Sequence, residues 1–194
     1  AMLLDMLRFL LGTVSHFFTL ILLLRFYLQV ARAPFKHPLA QFTVTLTNFA
    51  VIPIRRLVSS VRGYDSATLL LAWLVTLVST LVLLWLSPFP YNFAAPQSWL
   101  VLALLATLKV FVLSLYLLMG ALVVQAILSW VNPYNPLAPI LDSLTRPYLR
   151  PFERLRIGAV DLGPLVLLLI LQMLVGIPLA RLEWLLLSQM QMLM

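Results

Sequence analysis

Between Asp65 and Lys109 the chain carries no charged residue at all, and three other stretches come close to that condition. Phe9 to Ala31 holds only Arg25, Val110 to Val131 holds none, and Leu162 to Leu187 is charged only near its far end, at Arg181 and Glu183. A helix that crosses a bilayer needs about 20 mostly apolar residues, because lipid offers the backbone no hydrogen-bond partners. Pro88, Pro90 and Pro96 break the longest stretch, leaving Ala67 to Leu86 as a span. Four spans are therefore expected, at about 9–31, 66–87, 109–131 and 162–187. Gly176-Ile177-Pro178 predicts a bend in the last of them. The short apolar run Trp99 to Leu108 cannot cross alone; it either extends the third span or lies in the interface.

Composition supports lipid as the main solvent. The chain is 63% hydrophobic and 10% charged, against about 45–50% and about 25% in ordinary soluble domains. Cysteine is absent, which removes disulfide scaffolds and thiolate metal sites. The net charge of +7 reads as membrane topology and contact with anionic headgroups, with no call for nucleic acid. Arg32, Lys36, Arg55, Arg56 and Arg62 fall between spans one and two, and Arg146, Arg150, Arg154 and Arg156 between spans three and four; only Arg8, Lys109 and Arg181 fall on the other side. Basic residues concentrate in the cytoplasm, so both long loops are expected inside and both termini outside, in a multi-pass membrane protein. Arg25 is close enough to the inner end of its span to snorkel there, and Lys109 marks the outer end of span three.

The chain repeats itself. Residues 38–57 laid over 136–155 match at Pro38/Pro136, Leu39/Leu137, Ala40/Ala138, Leu46/Leu144, Thr47/Thr145, Pro53/Pro151, Arg56/Arg154 and Leu57/Leu155. After a two-residue gap the match resumes at Asp65/Asp161 and Leu69/Leu165. The first repeat is taken as residues 1–97 and the second as 98–194, with 25–86 corresponding to 125–187. Each holds span, cytoplasmic segment and span, so the two point the same way through the membrane. Ala31-Arg32-Ala33 has the spacing of a signal-peptide cleavage site, but an equivalent helix stands in mid-chain, so the first span is read as retained.

The cytoplasmic segments, 38–60 and 136–157, are too apolar for plain loops. Leu137, Ile140, Leu141, Leu144 and Tyr148 follow helical spacing opposite Asp142, Ser143 and Arg146. Asn135-Pro136 provides a start, and Pro147 and Pro151 an end. Thr43 to Thr47 alternates like a strand, and the repeat alone tips it to helix. Each segment is expected to be an amphipathic helix lying in the cytoplasmic interface. The fold class is thus an all-α membrane protein, with four transmembrane helices in two parallel repeats.

Pro53-Ile54-Arg55-Arg56 followed by Gly63-Tyr64-Asp65-Ser66, the second-copy Pro151-Phe152-Glu153-Arg154 and Gly158-Ala159-Val160-Asp161, and Leu24-Arg25-Phe26-Tyr27-Leu28-Gln29 resemble the YggT family of small bacterial membrane proteins, which has chloroplast relatives. The resemblance covers nearly the whole chain. Phe49 stands where the second copy has Pro147, and Glu153 replaces one of the paired arginines, so the copies are unequal. The resemblance implies either help with osmotic adaptation and potassium uptake or assistance in assembling other membrane components.

Asp65 and Asp161 sit at equivalent points and form a possible polar site with Arg25, the most embedded charge. Carboxylates at helix N-termini, favoured by the dipole and by nearby arginines, explain the two aspartates without a bound cation. Arg55, Arg56, Arg154 and Arg156 read as contacts to lipid headgroups or a partner, at roughly 1 kcal/mol each for headgroups. His16 in span one lacks a second intramembrane histidine for a haem, since His37 lies in the cytoplasmic segment; a buried, hydrogen-bonded histidine or one facing a partner is expected. Trp85, Phe89, Tyr91, Phe93 and Trp99 form an outer aromatic belt. No catalytic residue, cofactor site or metal site is expected. The expected function is a non-enzymatic accessory or assembly protein in contact with lipids and other integral membrane proteins, with a homo-oligomer as a further form of contact. A conduit tied to osmotic stress is the alternative, with Thr76, Ser79, Thr80, Ser114, Gln125 and Gln172 as the only polar side chains to line it.

Overall fold

The computed structural model describes residues 2–31, 37–57, 66–86, 96–132, 134–152, 156–157, 160–161 and 163–192. These are helical except for turns and one two-residue strand pair: α1 Met2–Val30, α2 Pro38–Leu57, α3 Ser66–Trp85, α4 Pro96–Val131, α5 Ala138–Leu149, β1 Arg156–Ile157, β2 Val160–Asp161, α6 Gly163–Leu174 and α7 Ala180–Met192. A 3-10 turn, Arg150–Phe152, follows α5, and a π turn, Val175–Leu179, joins α6 to α7. Pro178 falls inside that π turn; its missing N–H cannot continue the α pattern. The α pattern is thus interrupted at the Gly176-Ile177-Pro178 segment that the sequence singled out. Four helices are long and apolar enough to cross a membrane: Met2–Val30, Ser66–Trp85, Pro96–Leu128 and Gly163–Gln189.

Two boundaries differ from the sequence reading. The third span does not begin at Lys109. Residues Trp99 to Leu108 extend it as one helix of 36 residues, about 54 Å long at 1.5 Å per residue. Lys109 therefore lies inside the helix, with Nζ 3.4 Å from Thr80 Oγ1 of α3. In α5, Pro147 does not end the helix, which runs through it to Leu149. Losing one backbone bond is a local cost of about 3 kcal/mol, and packing of Leu149 and Phe152 against Met119, Leu122, Leu167 and Leu171 offsets it.

α1 packs along α3, α3 along α4, and α4 along α7. Leu22, Leu23, Val51, Leu71, Ala72 and Leu113 form a buried cluster drawn from α1, α2, α3 and α4. A smaller cluster, Leu28, Ala40 and Ile140, joins α1 to the beginnings of α2 and α5. α2 is a helix throughout, so the strand-like alternation of Thr43 to Thr47 is overridden. Its burial falls on one stripe, Ala40, Thr43, Thr47 and Val51, while Phe42, Leu46, Phe49 and Ile52 face outward. A helix with Thr43 and Thr47 inward and its phenylalanines outward suits lipid, not water. α2 also climbs α1: Ala40 meets Leu28, Thr47 meets Arg25, and Phe49 meets Phe18. Ten residues of α1, about 15 Å, separate the first partner from the last.

Candidate functional site

Arg25 is the best-defined polar centre. Its residue is 8% exposed, and Nη1 donates to Thr47 Oγ1 at 2.8 Å and to Asn48 Oδ1 at 2.9 Å, both on α2. Thr47 Oγ1 in turn donates to the Thr43 carbonyl at 2.6 Å. An arginine among apolar helices is costly unless its donors are used, and α2 turns its polar stripe inward to use them. The guanidinium thus ties α2 to α1 instead of snorkelling alone to the membrane surface.

The second half repeats the contact with a neutral pair. Thr145, the repeat partner of Thr47, donates from Oγ1 to Gln125 Oε1 at 2.9 Å. Arg25 and Gln125 therefore hold equivalent places, each linking a long helix to the short helix after it. The helix starts match as well. Leu39 N–H donates to His37 Nδ1 at 3.1 Å, and Leu137 N–H donates to Asn135 Oδ1 at 2.8 Å. Asn135 closes a turn just ahead of α5 and does not cap it as the sequence implied; the N-cap position is Leu137, without a side-chain cap. His37 Nε2 also donates to the Pro136 carbonyl at 3.0 Å, so one neutral tautomer serves both of its bonds and links the two short helices.

Arg55 and Arg56 are exposed in the last turn of α2. Asp65 and Arg154 lie outside the described residues, as do Phe89, Tyr91 and Phe93 of the proposed belt. Arg156 and Asp161 are opposite one another in the antiparallel pair, an arrangement the sequence did not suggest. Trp85 and Trp99 are exposed. His16 is not buried, as one reading of the sequence had it; it faces outward on α1, with Nδ1 donating to the Gly12 carbonyl at 2.8 Å. Arg8, Gly12, Thr13 and His16, with Phe9, Phe17 and Leu20, line a shallow groove of about 530 Å³ there. Among the described residues no group of three or more His, Asp or Glu could hold a metal ion. Thr47, Asn48 and Thr145 escaped the sequence reading as site residues, although the Thr47/Thr145 identity was the available signal.

Residues 4–86 and 101–182 each match the CCB3/YggT family. The chain belongs to that family. It is 36% identical over 170 residues to a protein of Escherichia coli K12 named "Uncharacterized protein YggT", covering 86% of each chain. It is 35% identical over 172 residues to a Vibrio alginolyticus protein described by its place in the proC 3' region, covering 87% of this chain and 90% of that one. A Pseudomonas aeruginosa protein is also 35% identical over 172 residues, covering 85% and 84%. No solved structure matches. The double family match falls on the two sequence repeats, and the four apolar helices make this family member a membrane-type protein.

Proposed function

We propose that this protein is a non-enzymatic membrane accessory or assembly factor that acts by contact with other membrane proteins. Its two halves are parallel repeats, both termini lie on the outer side, and the connections carrying Arg55, Arg56, Arg154 and Arg156 face the cytoplasm and its anionic headgroups. The observation that carries the reading is the outward face of α1. His16 stands exposed there between Phe9 and Phe17, and Arg8 beside it is partly buried with its Nε lacking a hydrogen-bond partner among the described residues, on the half of α1 that packs least against the rest of the chain. Ionisable groups turned toward lipid are costly, and a partner helix supplying acceptors would remove that cost.

The conduit reading is weaker on physical grounds. Selective conduction needs polar groups that replace the shell of water around an ion. The polar side chains within the bundle instead satisfy one another locally: Tyr27 with Ser114, Thr145 with Gln125, and Arg25 with Thr47 and Asn48. The buried guanidinium would also repel potassium. The test joins two measurements. Purified protein in liposomes should give no potassium or proton flux above empty vesicles, and charge reversal at Arg55, Arg56 and Arg154 should lower the yield of co-purifying membrane proteins. Saturable, selective flux from the protein alone would overturn the proposal.

A further inference from the structure

The repeat alignment puts Pro147 opposite Phe49, and the pairing of Arg25 with Gln125 puts Leu118 opposite Phe18. In the first half those two positions carry rings in contact, with the centroids of Phe18 and the outward-facing Phe49 5.7 Å apart. In the second half the leucine and the proline leave room. Leu118 and Pro147 line a cavity of about 360 Å³ between the C-terminal end of α1, the middle of α4 and α5. Tyr27, Phe111, Ala121, Leu144 and Tyr148 complete most of its wall.

We propose that this cavity holds one acyl chain of an anionic phospholipid. Three of its four hydroxyl protons are already engaged: Tyr27 Oη donates to Ser114 Oγ at 2.8 Å, Ser114 Oγ to the Val110 carbonyl at 2.9 Å, and Ser143 Oγ to the Pro139 carbonyl at 2.9 Å; the fourth belongs to the half-exposed Tyr148. Little is left for a water or an ion to gain, and the wall favours an apolar occupant. Along α4 the lining runs from Phe111 to Ala121, about 15 Å, the depth of one leaflet. Tyr148 is half exposed, and Arg150, one turn beyond Pro147, is exposed. That cation, three residues from the wall at Pro147, is the partner proposed for the phosphate. Hydrophobicity does not favour cavity over bilayer; shape and the arginine do.

Phosphatidylglycerol carrying a photoactivatable diazirine in its chain tests this on the purified full-length protein in mild detergent. Crosslinks should concentrate on segments containing Leu118, Ala121 and Tyr148. The variant Leu118→Phe with Pro147→Phe, which installs the first half's rings, should retain about one tenth as much lipid, the effect of ~1.4 kcal/mol of packing. Arg150→Gln should abolish the preference for phosphatidylglycerol over phosphatidylcholine without moving the crosslinks. Labelling spread evenly over the outer surface refutes the proposal, and so does a folded ring-filled variant that retains lipid like the parent. Crosslinks from the Tyr148 segment to a second copy of the chain would hand the cavity to a protein partner and sink the lipid. If the ring-filled variant fails to fold, the labelling pattern on the parent decides.

Discussion

Replacing Arg25 by leucine removes the donors that reach Thr47 and Asn48 and should loosen α2 from α1. Hydrogen bonds to a charged group are typically worth about 1.5–3 kcal/mol each by mutation, which sets an upper bound of about 3–6 kcal/mol for the two. Three things reduce it. Side-chain hydrogen bonds in membrane bundles average only about 0.6 kcal/mol. Thr47 keeps its bond to the Thr43 carbonyl, so it is not orphaned. Leucine also relieves the desolvation of a buried cation. A net loss of about 1–3 kcal/mol follows, with Asn48 as the group left short of a partner. Equilibrium unfolding by SDS in mixed micelles measures it, and a double-mutant cycle with Asn48→Ala should give a coupling of about 0.5–1.5 kcal/mol. Arg25→Lys should fall between, because a single ammonium lacks the planar fork that reaches two acceptors. A thiol placed at Thr43, now buried, should become reactive in the leucine variant. If Arg25→Leu is as stable as the parent and shows no coupling to Asn48, packing alone holds α2 and the polar tie is incidental.

The equivalent change in the second half, Gln125→Leu, removes one neutral bond to Thr145 and should cost about 0.5–1 kcal/mol in the same titration; a loss as large as that at Arg25 would contradict the inequality of the halves. Gly12→Ala should stabilise by about 0.5–1 kcal/mol, because a Cβ there meets only Leu83 Cδ1 at 3.8 Å; a lower unfolding midpoint would show that α1 and α3 approach more closely than described. Cysteine introduced at Asn92 should react with an impermeant reagent outside whole cells, while cysteine at Ser59 or Ser143 stays protected. The reverse pattern would invert the proposed topology.

Membrane embedding was legible from residues alone, because crossing a bilayer is a local test: length without charge, met or failed within one segment. The repeat was legible for the same reason, since identities such as Thr47/Thr145 need no geometry. So was the interruption of the α pattern at Pro178, because a missing N–H acts wherever the helix goes. The extent of α4 was not, since nothing in Trp99 to Leu108 distinguishes a helix continued from a helix started. The partners of Arg25, the climb of α2 along α1 and the gap beside Pro147 were out of reach too. Helices that are apolar on nearly every side carry no stripe to say which face meets a neighbour, so only the folded bundle decides. What the sequence determined is where the chain enters lipid. What the tertiary structure decided is which of its few polar groups meet: Arg25 finds α2 because a guanidinium in lipid must have acceptors, and α2 turns Thr47 and Asn48 toward it.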